Sequence, residues 1–217
     1  MNPLFLSIFG PEHLEEYCSG IFSDALDRMD LRAQVVDGFQ LNRSGLRLFG
    51  RVRTVVLETL ETSEERIAKG LGFLDSLAPD DVLLVKGSND YAYFGELMSR
   101  LSMEKDLGGA IVDGLTRDSY YTQTIPFPIF ARGYSARDIK GRGRVAEVDV
   151  PVHVNGVAVA PGDLVFGDSD CLVFLPQDCR ERLVAETAQL VREEARIKAL
   201  IKSGMSISEM LKSVKAF

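Results

Sequence analysis

Two short stretches carry the side chains best suited to chemistry. The first is Lys86-Gly87-Ser88-Asn89-Asp90, which leads through Phe94-Gly95 into Glu96-Leu97-Met98. The second is Asp113-Gly114-Leu115-Thr116-Arg117-Asp118. Gly95 has no Cβ, so the backbone there can approach a ligand closely. The free amides of the helical turn that follows can hold a carboxylate. Arg117 offers a planar fork of donors to a carboxylate or an enolate oxygen. Asp118 is a hard oxygen ligand suited to magnesium or manganese, ions that keep several waters and need no full protein cage. Glu96 can accept a proton, directly or through a water. The same residues also suit a plainer role: an Arg-Asp helix start with a surface Arg and a solvated first-turn Glu96.

The elements around them place both stretches where strands end and helices begin, the position at which open α/β architectures bind ligands. Val82–Val85 reads as a buried strand ended by Gly87, and a helix is expected from about Tyr93 to Lys105. Ala110–Val112 reads as a second strand, a short helix should start near Arg117 or Asp118, and Pro128–Ala131 reads as a third strand. Strands alternating with helices at this spacing imply parallel neighbours joined by helical crossovers. Upstream, a helix is expected over 11–29, a strand or strand pair over 46–57, and a helix capped by Thr62 and Glu65 running to Leu77. After Gly141 the character turns to β, with a hairpin turn at Asn155-Gly156 and strands at 164–166 and 172–175. A long helix should run from Asp178 to Ser203, and Ser206 with Glu209 should cap a last short one. No repeat or linker divides the chain, so residues 1–217 are read as one domain, with 178–217 as C-terminal helices packing on it or on a neighbouring subunit.

Composition narrows the partners. Hydrophobic residues make up 46% and charged residues 26% of the 217, ordinary values for a globular chain. The net charge is -7 and no stripe of Lys or Arg occurs, which argues against nucleic acid. Cys18, Cys171 and Cys179 are an odd number without C-x-x-C spacing, as expected of reduced cytoplasmic thiols. The apolar start at Met1–Leu6 has no basic flank, so no signal peptide is expected, and no apolar stretch reaches membrane-spanning length. His13 and His153 stand in contexts that favour surface or structural roles. No Ser-His-Asp set, Cys-His pair or P-loop is visible.

The ordered set of motifs resembles the RraA / HMG-aldolase family, HMG being 4-hydroxy-4-methyl-2-oxoglutarate. The family's enzymes carry an acid, twenty intervening residues, then Arg-Asp, and Glu96 with Arg117-Asp118 fits that spacing. Phe22–Asp27, Phe127–Gly133, Val159–Asp163 and Gly167–Asp170 resemble further family segments, so the likeness spans residues 20–205. It implies a swivelling α/β/β/α fold assembled as a trimer or hexamer. It also implies that Asp118 binds a divalent ion, magnesium or manganese, with waters filling most other positions. Arg117 would bind a 2-oxo acid near its keto oxygen and stabilise the enolate formed on carbon–carbon cleavage. The amides of Leu97 and Met98, after Gly95, would hold the pyruvate carboxylate, and Glu96 would position a water that handles the proton. A glutamate from a neighbouring subunit is expected near the site, with Glu193 and Glu194 as candidates. Gly87-Ser88-Asn89 where Gly-Gly is frequent, Cys171 where a Gly is usual and Pro79-Asp80-Asp81 mark departures that point to a subgroup with its own substrate.

The expected activity is therefore a metal-dependent retro-aldol lyase releasing pyruvate from a 4-hydroxy-2-oxo acid, with oxaloacetate decarboxylation as a side activity. The acceptor fragment stays open, an aldehyde of a sugar-acid pathway included. Two alternatives differ in class. One is a protein-binding regulator of a ribonuclease, a role whose family members typically lack the Asp after the Arg. The other is a Schiff-base aldolase using Lys86, at the end of an apolar strand.

Overall fold

The computed structural model describes residues 2–31, 34–60 and 67–213. Helix α1 (Pro3–Phe9) starts with Pro at its first position, where a missing N–H costs nothing, and the Asn2 side chain accepts the Phe5 amide at 3.0 Å. Helix α2 (Ser19–Arg28) is capped from a distance, because Asp168 accepts both the Ser19 amide and its hydroxyl at 2.8 Å. Short strands β1 (Val35–Val36) and β2 (Gln40–Leu41) precede the long β3 (Leu48–Thr59). The crossovers follow: α3 (Ile67–Ser76), β4 (Asp81–Lys86), β5 (Ala92–Phe94), α4 (Glu96–Glu104), β6 (Gly109–Thr116), α5 (Ser119–Thr122) and β7 (Ile129–Tyr134). Then come β8 (Gly143–Val148), β9 (Val152–Val154), β10 (Val157–Val159), β11 (Leu164–Gly167) and β12 (Leu172–Leu175). A 3-10 turn at Gln177–Cys179 leads into α6 (Arg180–Lys202) and α7 (Ile207–Ser213).

The sheet runs β1-β12-β11-β3-β4-β6-β7-β2, with β5 added on β6 and β8 on β3. Its centre, β3-β4-β6-β7, is parallel, as the alternation of strands and helices predicts. The late strands β11 and β12 extend that centre antiparallel from β3. Asn155 and Gly156 join β9 to β10 with positive φ at both positions (48° and 85°), the turn geometry that Asn-Gly suits.

Period-two alternation on β3 sorts the core into layers. Phe49 packs with α1, α2 and α6, and Val55 with α3 and the crossover strands. Leu48 and Val52, on the opposite face, pack against Val152, Val154, Val157 and Val159 of the β9–β10 hairpin. Helices therefore cover one face of the sheet and a second β layer covers the other. The central strands are buried on both faces, hence their continuous apolar runs.

Two expectations need correction. The helix foreseen over 11–29 is confined to Ser19–Arg28, because His13 adopts a positive φ and Cys18 an extended backbone. Tyr93 belongs to strand β5 and α4 begins only at Glu96, because Gly95 is extended. Helix α1 was not foreseen at all. The Ser206–Glu209 capping box forms, with Ser206 Oγ 2.6 Å from Glu209 Oε2 and the Glu209 amide on Ser206 Oγ at 3.3 Å. The Thr62–Glu65 box lies outside the described residues. No helix among the described residues is long and apolar enough to cross a membrane.

Candidate functional site

Strand β5 brings the two stretches together. β4 pairs with β6 as far as Lys86↔Asp113, and β5 then continues along β6 with Ala92↔Leu115 and Phe94↔Thr116. The Phe94 carbonyl accepts the Arg117 amide at 2.9 Å and the Thr116 hydroxyl at 2.5 Å. Gly95 and Glu96 thus emerge beside Arg117 and Asp118.

Gly95 is needed for a reason internal to the site. A Cβ there would lie 2.4 Å from Asp118 Oδ2 and 2.8 Å from Arg117 Cγ. The close approach expected of a ligand at Gly95 is made by the protein's own carboxylate. Asp118 Oδ2 accepts the Glu96 amide at 2.9 Å, capping α4 from across the site. Asp118 itself holds a left-handed backbone (φ 58°, ψ 41°), which Asp tolerates better than most residues. The amides of Tyr121 and Thr122 bond its carbonyl at 3.0 and 2.9 Å, fixing that strained position. The amides of Leu97 and Met98 follow in the first turn of α4, where a helix supplies no acceptors. The carbonyl four residues before Met98 is that of Phe94, already engaged by Arg117 and Thr116.

Arg117 is gripped on two sides. Its Nε lies 3.4 Å from Asp118 Oδ2, and its NH1 lies 3.0 Å from Asp138 Oδ2. Glu96 is held by Arg100, one turn further along α4, whose Nε and NH2 both reach Glu96 Oε1, at 2.9 and 2.8 Å. The Arg100 guanidinium sits 4.4 Å from the centre of the Tyr121 ring, an arrangement that limits its freedom. Glu96 Oε2 faces no partner among the described residues. Leu97 and Tyr120 border the site and are 72% and 95% exposed.

The donor set fits a hydrated hard cation. Asp118 Oδ1 has no partner among the described residues, whereas Oδ2 is occupied by donors. No group of three or more His, Cys, Asp or Glu side chains among the described residues is placed to share an ion. One open carboxylate oxygen suits magnesium or manganese completed by water and substrate, not a closed zinc or calcium cage.

Other candidates are engaged elsewhere. Lys86 is ion-paired to Asp113, which also accepts Arg132 Nε at 2.9 Å. Tyr93, on β5, is half-buried with its hydroxyl against Gly70, and desolvation there pushes its phenol up to about 12, so it stays neutral. The three cysteines are free, and burial raises the thiols of Cys171 and Cys179, which makes them poor nucleophiles. Glu193 and Glu194 lie on α6, which packs on α1 and α2 rather than on α4 or α5. Glu193 binds Arg28 at 2.8 Å and Glu194 binds Lys198 at 3.1 Å. Sequence reasoning missed Asp138, Arg100 and Tyr121. Only Arg100, four residues after Glu96, left a readable signal.

The family model described as Aldolase/RraA, RraA-like, matches residues 21–174, and the chain belongs to this RraA-like family. It is 31% identical over 133 residues to the 4-hydroxy-4-methyl-2-oxoglutarate aldolase of Thermus thermophilus, covering 60% of this chain and 77% of that one. It is also 25% identical over 193 residues to Protein DlpA of Legionella pneumophila, covering 88% of this chain. The chain spans 31% of DlpA, so that relative is about three times as long. Among solved structures, Streptomyces coelicolor RraAS2, described as an unusual member of the RNase ES inhibitor RraA protein family, has the same fold. The TM-score is 0.76 at 23% identity, over 91% of this chain and 97% of that one.

Proposed function

We propose that the chain is a divalent-metal-dependent lyase that cleaves a 4-hydroxy-2-oxo acid and releases pyruvate. Oxaloacetate decarboxylation is the expected side activity, because both reactions pass through the enolate of pyruvate. The observation that carries this reading is the single hydrogen bond from the Glu96 amide to Asp118, which joins a proton acceptor, an anion-holding helical turn, an arginine fork and a metal-ligand carboxylate on one surface. A magnesium or manganese ion on Asp118 would polarise the substrate's keto group.

The chain's own residues supply the rest. The Leu97 and Met98 amides, at the positive end of α4, bind the 2-oxo acid's carboxylate. Arg117 donates to the keto oxygen and meets the negative charge that collects there as the C3–C4 bond breaks. Glu96, with Oε1 held by Arg100 and Oε2 without a partner among the described residues, orients a water that removes the proton from the 4-hydroxyl. The same water returns a proton to the enolate carbon, giving pyruvate. A homo-oligomer, trimer or hexamer, would cover the exposed Leu97 and Tyr120 and could bring Glu193 or Glu194 of a neighbouring copy to the site.

The test is a screen of 4-hydroxy-2-oxo acids and oxaloacetate with magnesium or manganese, coupled to pyruvate detection. Turnover that a chelator abolishes and added metal restores is the expected result. Borohydride trapping with pyruvate should leave the mass of the protein unchanged, since Lys86 is committed to Asp113. A covalent adduct at Lys86 would overturn the metal reading. The second reading, a ribonuclease regulator, draws on the fold shared with Streptomyces coelicolor RraAS2, described as an unusual member of the RNase ES inhibitor RraA protein family. Binding to a ribonuclease with no turnover of any 2-oxo acid would favour it.

A further inference from the structure

We propose that Asp138 is a positioning residue for Arg117, a role that rests on the lyase reading above. Asp138 lies in the loop after β7, twenty-one residues from Arg117 in sequence, and its Oδ2 is 3.0 Å from Arg117 NH1. That contact is shorter than the 3.4 Å from Arg117 Nε to Asp118. A hydrogen bond from one nitrogen and an ion-pair contact at another hold the guanidinium from two sides. The NH2 group, with no partner among the described residues, is left to donate to a substrate oxygen.

The backbone around Asp138 is tied to the strand that delivers the site. Ala92 of β5 forms a parallel bridge with Asp138, donating to the Arg137 carbonyl at 2.8 Å and accepting the Ile139 amide at 3.1 Å. The loop's first residues are pinned too, since the Ser135 amide bonds the Thr116 carbonyl at 2.9 Å, one residue before Arg117. Asp138, Gly95 and Glu96 therefore share one frame, and any shift of β5 moves them together.

Stability does not explain the arrangement. The Arg117 and Asp138 side chains are 33% and 42% exposed, and an ion pair so placed contributes little to folding. Charge alone does not explain it either. A second anion beside Arg117 weakens its attraction for an anionic substrate, so simple electrostatics predicts better binding without Asp138. Orientation predicts the opposite sign, because a free fork must be ordered anew at each encounter.

The experiment compares wild type, Asp138→Asn and Asp138→Ala in pyruvate release from oxaloacetate and a 4-hydroxy-2-oxo acid with magnesium, each in wild-type and Arg117→Lys backgrounds. Asp138→Ala should lower kcat/KM at least about tenfold, with a raised KM and little change in thermal unfolding. Asp138→Asn, which keeps an oxygen beside NH1 but without charge, should lose only about twofold and so recover most of the deficit. Neither change should cost anything further once Arg117 is Lys. Should the Ala variant fail to fold, a loss in the Asn variant that vanishes in the Arg117→Lys background carries the proposal. Unchanged or improved kcat/KM, or equal losses in both backgrounds, would overturn the role of Asp138 while leaving the lyase reading intact. A wild-type protein that turns over no 2-oxo acid would overturn both.

Discussion

Asp118 Oδ2 accepts the backbone amide of Glu96 at 2.9 Å across twenty-two positions of sequence. The contact gives one carboxylate two tasks, since the residue proposed to hold the metal also caps the helix that carries the proposed proton acceptor. Its Oδ2 is spent on structure, while Oδ1 has no partner among the described residues and is the oxygen proposed to take the ion. The two tasks can be separated by substitution.

Asp118→Asn keeps an acceptor for the Glu96 amide and tolerates the left-handed backbone, so the fold should change by less than about 0.5 kcal/mol. Metal-dependent turnover should nevertheless disappear, because a neutral amide is a poor ligand for a hard cation. Asp118→Ala should lose turnover and also about 1–2 kcal/mol of stability, from the lost cap and the strained φ. Urea unfolding and pyruvate release measure the two effects side by side. Wild-type rates in either variant would remove Asp118 from the chemistry.

Gly95→Ala tests how tightly the site is assembled. The added methyl would lie 2.4 Å from Asp118 Oδ2, so the carboxylate or the start of α4 must move. Overpacking of this kind costs about 1–3 kcal/mol. A displacement of about 1 Å at the reacting groups should lower kcat/KM roughly 100-fold. Steady-state rates and a melting curve on the same preparation would expose a site more tolerant than this geometry allows.

Arg117→Lys keeps the positive charge and discards the planar fork. The ammonium cannot meet Asp118, Asp138 and a keto oxygen in one plane, so most activity should be lost, roughly 100-fold. Rates near those of wild type would make Arg117 a structural residue.

The acid limb of stability should carry a mark of Glu193. Its carboxyl is held below the ordinary 4.5, first by the Arg28 hydrogen bond and then by Gln189. A group lowered on folding contributes stability above its unfolded value, and that contribution fades as the pH falls through the lower folded value. Glu193→Gln should therefore cost about 0.5 kcal/mol near neutrality and show a shallower decline in urea midpoint on acidification through the carboxylate range. Parallel curves for the two proteins would contradict this.

Much of the architecture was legible in the chain. The apolar runs at Val82–Val85 and Ala110–Val112 predict buried parallel strands because strands covered on both faces cannot alternate. Asn155-Gly156 predicts its hairpin, and Ser206 with Glu209 its cap, because each is local chemistry within four residues. Elements whose limits depend on distant partners were not legible in this way. Helix α2 starts at Ser19 because Asp168 reaches back across 149 positions to cap it. Tyr93 is strand because β6 offers it a free edge, a condition no window around Tyr93 records.

The sequence by itself determined the parts of the site: an acid at 96, the arginine and acid at 117 and 118, and a glycine at 95 with no side chain to obstruct them. Only the tertiary structure decided that Gly95 makes room for Asp118, that Arg117 leans on Asp138, and that Lys86 is ion-paired to Asp113. The physical reason is one of range. Helix and strand periodicity is written in neighbouring residues, but a close approach between side chains is set by which strands lie side by side, and the whole chain decides that.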